Sequence, residues 1–194
     1  MKNICSTISI CTICITLLVA IFVSTFVSKV EDDNVEIEKK WLIDVEKIPY
    51  DLTKAEKYSI EQTYICFDPE IRVRRINNGA AYTMTVKTNM TSDGLKRDEY
   101  EIDITEDGYN SLVKKGESIT IYKDRYQFID NGITIALDIF KNELSGLAYM
   151  EIEFDSEKEA DKYTEPNWVI RNVTDDTRYK NGHLARYGIP KEEN

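Results

Sequence analysis

Glu36, Glu38 and Lys40 stand at alternate positions in the stretch Val35-Glu36-Ile37-Glu38-Lys39-Lys40-Trp41-Leu42-Ile43. A strand sends alternate side chains to opposite faces, so the three charges share one face while Val35, Ile37, Trp41 and Ile43 share the other. Two carboxylates and an ammonium in a row are costly to bury unless a cation sits on the acids and an anion on the lysine. A metal-bound phosphate meets both needs, because hard divalent cations take carboxylate oxygens and bridge to phosphate oxygens. For one strand alone a solvated face is the simpler reading. The pattern, however, recurs.

Arg72 and Arg74 oppose Ile71 and Val73, and Thr83, Thr85 and Lys87 oppose Tyr82, Met84 and Val86. Arg97, Glu99, Glu101 and Asp103 alternate with Asp98, Tyr100, Ile102 and Ile104. Lys123 and Arg125 share a parity, Asp138 faces away from Leu137 and Ile139, and Glu151 and Glu153 oppose Met150, Ile152 and Phe154. The single His183 reads as a surface residue of a last helix, and Trp41 and Trp168 read as packing residues.

The elements that must position these charges are mostly strands joined by tight turns. Strands are predicted over 35–43, 59–65, 71–76, 81–88, 97–104, 118–128, 133–140 and 147–154. Asn78-Gly79 and Asn131-Gly132 are hairpin signals, since both residue types tolerate positive φ, and Ser92-Asp93-Gly94 marks a further turn. Thr105-Glu106-Asp107 opens a helix closed by Gly116, and Ser156 with Glu159 is a capping-box start for a helix to Tyr163. A last helix is predicted over 175–187, and 51–58 reads as a short helical turn or loop. Hairpin connection of about eight strands implies an antiparallel sheet. A closed barrel with the charges inward and a sandwich with a charged exterior both satisfy the alternation.

The chain of 194 residues carries 25 Lys+Arg against 35 Asp+Glu, a net charge of -10 that argues against nucleic acid as a partner. Cys5, Cys11 and Cys14 lie in the apolar N-terminus, which leaves Cys66 alone in the folded part and no disulfide framework or cysteine metal site. Between Lys2 and Lys29 the chain carries no charge, a run long enough to cross a hydrocarbon core of roughly 30 Å as a helix. Phe22 and Phe26 stand where a cleavable signal wants small residues, so residues 1–30 are read as an uncleaved single-pass anchor ahead of a domain over 35–190. The expected localisation is the cell membrane, on an undetermined side.

The ordered set Glu36-Ile37-Glu38-Lys39-Lys40, Arg72-Val73-Arg74, Thr85-Val86-Lys87, Arg97-Asp98-Glu99-Tyr100-Glu101, Lys123-Asp124-Arg125-Tyr126, Leu137-Asp138, Glu151-Ile152-Glu153-Phe154 and Arg178-Tyr179-Lys180-Asn181 resembles the CYTH superfamily of triphosphate tunnel metalloenzymes. The resemblance runs across residues 35–187. It implies a mainly β (α+β) fold, a closed antiparallel eight-stranded barrel with a few helices outside, whose tunnel binds triphosphates with Mg or Mn ions.

Carried over by position, Lys40, Arg72, Arg74, Lys87, Arg125 and Lys180 look like phosphate ligands, with Arg97 and Lys123 as additions. Lys40, Lys87 and Arg125 look catalytic, stabilising charge that develops on the phosphates. Glu36, Glu38, Asp138, Glu151 and Glu153 look like the metal carboxylates, and Glu99 and Glu101 hold the basic residues or help a second ion. Ala136, two before Asp138, departs from the family pattern, where an acid or polar residue often stands. The implied activity is metal-dependent hydrolysis of a triphosphate small molecule, inorganic tripolyphosphate or a nucleoside triphosphate. A class IV-type adenylate cyclase and a non-catalytic, membrane-held polyphosphate or nucleotide binder are the alternatives.

Overall fold

The computed structural model describes residues 37–89 and 97–191. The strands are β1 (Ile37–Ile43), β2 (Glu56–Phe67), β3 (Glu70–Ile76), β4 (Ala81–Asn89), β5 (Arg97–Asp103), β6 (Ile121–Asp130), β7 (Ile133–Phe140), β8 (Ala148–Phe154) and β9 (Val169–Asn172). The helices are α1 (Glu106–Val113), α2 (Glu157–Lys162) and α3 (Asn181–Tyr187). The strands form one sheet in the order β5-β4-β3-β2-β6-β7-β8-β1-β9, and every neighbouring pair is antiparallel.

The apolar parity of the central strands supplies one core. Trp41, Ile43, Ile135, Leu137, Met150 and Ile152 are buried together, with Ile48, Leu52, Tyr163 and Trp168 packed over them. Each such side chain contributes roughly 1.5–3 kcal/mol on burial. A second core lies at one end of the opposite, charged face. Tyr64, Phe140 and Tyr149 sit two residues along their strands from Gln62, Asp138 and Glu151, and Leu184 and Ala185 of α3 pack against them. The last helix thus gives the charged face an apolar floor.

The Asn-Gly turns behave as their sequence requires, with positive φ at Asn78, Gly79, Asn131 and Gly132. Thr105 caps α1 by accepting from the Gly108 amide, 3.1 Å, and Ser156 caps α2 by accepting from the Glu159 amide, 3.3 Å. Gly116 serves closeness rather than a left-handed cap: a Cβ there would lie 2.5 Å from Thr63 Cγ2. The helix predicted over 175–187 is broken. Asp176 caps a separate turn at Thr177–Tyr179, and Lys180 then adopts φ -71° and ψ 141° before α3 begins. β2 is longer than predicted because it pairs on both sides, with β3 and β6.

Two expectations are corrected. The sheet is not a closed eight-stranded barrel. Among the described residues it has nine strands and two separate edges, because β1 gives its second edge to the short β9 (Leu42 opposite Arg171) and β5, at the other end, pairs with β4. Alternation sets which residues share a face but says nothing about whether the outermost strands meet. A single-pass helix at the cell membrane is not supported either: among the described residues no helix is long and apolar enough to cross a membrane. The segment 1–30 on which that reading rested lies outside the described residues, as do Glu36 and the Ser92-Asp93-Gly94 turn.

Candidate active site

Register brings the charged parities of successive strands onto one face. Across β1 and β8, Glu38 faces Glu153 and Lys40 faces Glu151. Arg125 faces Asp138 across β6 and β7, and Ala136 faces Glu151. Tyr64 and Gln62 face Arg72 and Arg74, which in turn face Thr85 and Thr83. Glu101 and Glu99 face Thr85 and Lys87.

The charges fall into two groups. In the first, Lys40 Nζ lies 2.9 Å from Glu151 and 3.2 Å from Glu38, 5.2 Å above the Tyr149 ring. Arg125 grips Asp138 through two contacts of 2.7 Å and also bonds Glu151. Lys123, 2% exposed, donates to Asp138, 0% exposed. Burial works against the Lys40 charge, but Glu151 and Glu38 outweigh it and raise its pKa. Burial alone would raise Glu151, yet Lys40, Arg125 and Lys123 hold it well below the usual carboxylate range. Arg125 is likewise held well above its ordinary value, with Asp138 and Glu151 overcoming burial.

In the second group Arg72 Nη2 donates to Glu99, 3.2 Å, and Lys87 Nζ lies 2.6 Å from the same carboxylate. Arg74 Nε and Nη2 both donate to Gln62 Oε1, 3.3 and 3.1 Å, while its Nη1 is 3.9 Å from Glu101. Thr85 donates to Glu101, 2.9 Å. Arg72 Nε is buried with no hydrogen-bond partner. The Arg74 guanidinium is lowered by burial first and then by Arg72 and Arg125, only partly offset by Glu101. The two groups meet at Arg74, whose carboxylate neighbour stands 3.9 Å away, a place that suits a bound anion.

Glu153 is exposed opposite Glu38. Lys180 is exposed at the start of α3. The Arg97 backbone pairs with Asn89 in β5, and its side chain lies outside the described residues. Among the described residues no three carboxylate, His or Cys side chains converge as a ready metal cage, because Asp138 and Glu151 are turned onto Lys123, Arg125 and Lys40. The donor chemistry nevertheless fits a hard cation that takes one or two carboxylates plus substrate phosphate oxygens.

The sequence reading gave Gln62 and Tyr64, inside the strand predicted over 59–65, no part in the site. Neutral residues carry no charge pattern to betray them. Glu70, 3.8 Å from Arg72, was missed likewise, since it begins its strand outside the quoted motifs.

Comparison with known proteins bears on the site as a whole. Residues 34–181 match the family model described as CYTH domain. An inorganic triphosphatase from Acetivibrio thermocellus is 38% identical over 153 residues, covering 78% of this chain and 93% of that protein. An inorganic triphosphatase from Nitrosomonas europaea is 34% identical over 152 residues, covering 77% and 96%. The crystal structure of the inorganic triphosphatase NE1496 superposes with a TM-score of 0.59 at 33% identity, covering 77% of this chain and 93% of that one.

Proposed function

The chain belongs to the CYTH domain family, and from that premise we propose that it is a metal-dependent triphosphatase whose preferred substrate is inorganic tripolyphosphate. The relatives' names favour the inorganic substrate over a nucleotide. The observation that carries the reading is Arg74, held on the charged face by a neutral amide at 3.1 Å with a carboxylate only at 3.9 Å, beside an Arg72 Nε with no hydrogen-bond partner. A linear polyanion lying along the face supplies the close counter-charge that Arg74 lacks and an acceptor for the open Arg72 donor.

In this reading Arg72 and Arg74 take oxygens at one end of the chain of phosphates, with Lys87 beside them. Lys40 and Arg125 take the other end. Arginine offers a planar fork and lysine a point charge, so the two types divide orientation and neutralisation between them. Lys123 acts through Asp138, holding it for Arg125. Glu99 and Glu101 keep the second group in place. Arg97 and Lys180 enter as phosphate ligands, and Glu36 as a metal ligand, from the family resemblance alone.

Glu38 and Glu153, facing each other, would hold a divalent cation, with Glu151 and Asp138 released to it as phosphate takes over their basic partners. Such an ion, when bound, would supply polarisation of phosphate oxygens and a water of lowered pKa. The cations of the face stabilise charge developing on the leaving phosphate. Ala136 opposite Glu151 leaves that wall without a further donor. Residues 35–190 are proposed as the catalytic domain.

The test is to offer the purified full chain tripolyphosphate, ATP and thiamine triphosphate, each with Mg or Mn. Orthophosphate release, fastest from tripolyphosphate, is the expected result. Cyclic AMP with pyrophosphate from ATP, or tight binding without turnover, would replace this reading with a cyclase or a pure binder.

A further inference from the structure

Gln62 lies in the middle of β2 with 0% exposure. Its Oε1 accepts from Arg74 Nε and Nη2 at 3.3 and 3.1 Å, and its Nε2 donates to Tyr64 Oη at 3.0 Å. Arginine has only donors, so the amide can offer it only the carbonyl; the Tyr64 oxygen then takes the amino end and keeps the group from turning. Tyr64 is itself 1% exposed and stacked on Phe67 with ring centroids 5.4 Å apart. Both ends of Gln62 are therefore spoken for.

The holder's neutrality matters as much as its geometry. Arg125 is gripped by two carboxylates, Asp138 and Glu151, and Arg72 and Lys87 share Glu99. Arg74 has a carboxylate only at 3.9 Å, and its close partner is a carbonyl. A neutral acceptor orients a guanidinium without cancelling its charge, whereas a carboxylate in the same place would compete with phosphate for it.

Resting on the triphosphatase reading, we propose that Gln62 is a positioning residue that holds Arg74 aimed at the substrate while leaving its charge uncompensated. The consequence is a specific order among isosteric variants. Gln62→Glu keeps the shape and the acceptor but adds the competing charge. Gln62→Met keeps the volume and removes the acceptor.

The experiment uses the full chain, inorganic tripolyphosphate with Mg, thermal unfolding, and the Arg74→Ala background. Gln62→Glu is expected to raise KM about tenfold or more, roughly one decade per 1.4 kcal/mol, with an unchanged or higher Tm. Gln62→Met is expected to raise KM less. Both effects should largely vanish when Arg74 is already alanine, because nothing is left to aim. Wild-type KM in Gln62→Glu, or a Gln62 effect of full size on the Arg74→Ala background, overturns the proposal. So does loss of folding in both variants, which would make Gln62 merely structural. A wild-type chain that neither binds nor hydrolyses tripolyphosphate removes the functional reading itself, whereas an active wild type with indifferent Gln62 variants removes only this inference.

Discussion

Arg74 and Arg75 are adjacent in β3 and serve opposite faces of the sheet. Arg74 is held by Gln62 on the charged face, while Arg75 grips both oxygens of Glu61 at 2.6 Å on the other and lies over the Tyr109 ring. Neighbouring residues of one type thus test the assignment of faces. Arg74→Ala should lower kcat/KM for tripolyphosphate at least tenfold, since a charge-assisted contact in a water-poor site is worth about 1.5–3 kcal/mol. Arg75→Ala should leave kcat/KM near wild type and lower only Tm. Arg74→Lys should recover part of the loss, because an ammonium cannot reproduce the fork. Equal kinetic losses at 74 and 75 would refute the inward charged face.

The proposed metal dependence is tested at Glu153, which faces Glu38 across β1 and β8. Glu153→Gln keeps the side chain's shape and removes its charge, and it should lower turnover while raising the Mg or Mn concentration needed for half-maximal rate. Titrating metal at saturating tripolyphosphate measures both. Near-normal rates in excess chelator would end the metal reading.

Stability should fall in acid through Glu151. Its carboxyl is held well below its ordinary 4.5 by Lys40, Arg125 and Lys123, against the opposing effect of burial. The unfolded chain therefore takes up that proton first, and the contribution is fully present above pH 4.5 and lost as pH falls below it. Lys40, raised above 10.5, has the opposite sign: its contribution is complete below pH 10.5 and is lost only as pH rises beyond. Tm of wild type and Glu151→Gln, followed from about pH 8 to pH 3, should converge toward the acid end. A gap that stays constant would contradict the assignment.

Gly116→Ala should destabilise the chain by about 1–3 kcal/mol, because a methyl group must enter a packed contact. Its Cβ would sit 2.5 Å from Thr63 Cγ2 and 3.3 Å from the Tyr64 carbonyl. At Gly182 the nearest atoms, on Tyr64 and Glu70, would be 3.5 and 3.6 Å away, an ordinary contact, so Gly182→Ala should cost far less. Denaturant midpoints of the two variants provide the comparison, and a reversed order would refute the packing around α1.

The hairpins, the capped starts of α1 and α2, and the family were all legible in the order of residues, because each rests on a short local pattern. The sharing of one charged face was legible for Lys40, Arg72, Arg74, Lys87, Arg125, Asp138 and Glu151, whose alternate spacing puts them on common strand faces. Gln62 was not, since a neutral amide acquires its meaning only from the two partners that β3 and its own strand bring to it. β9 was not either: three of its four residues are exposed, so it lacks a half-buried alternation, and its identity as a strand comes from pairing with β1.

By itself, then, the sequence determined which side chains share a face, where the chain reverses, and which chemistry those charges suit, for these are consequences of backbone period and residue type. Only the tertiary structure decided that the sheet stays open between β5 and β9, that α3 floors the charged face with Leu184 and Ala185, and that Lys123 is spent on Asp138. Each of these depends on edges and surfaces far apart in the chain coming together, and a period of two along one strand carries no information about what lies across from it.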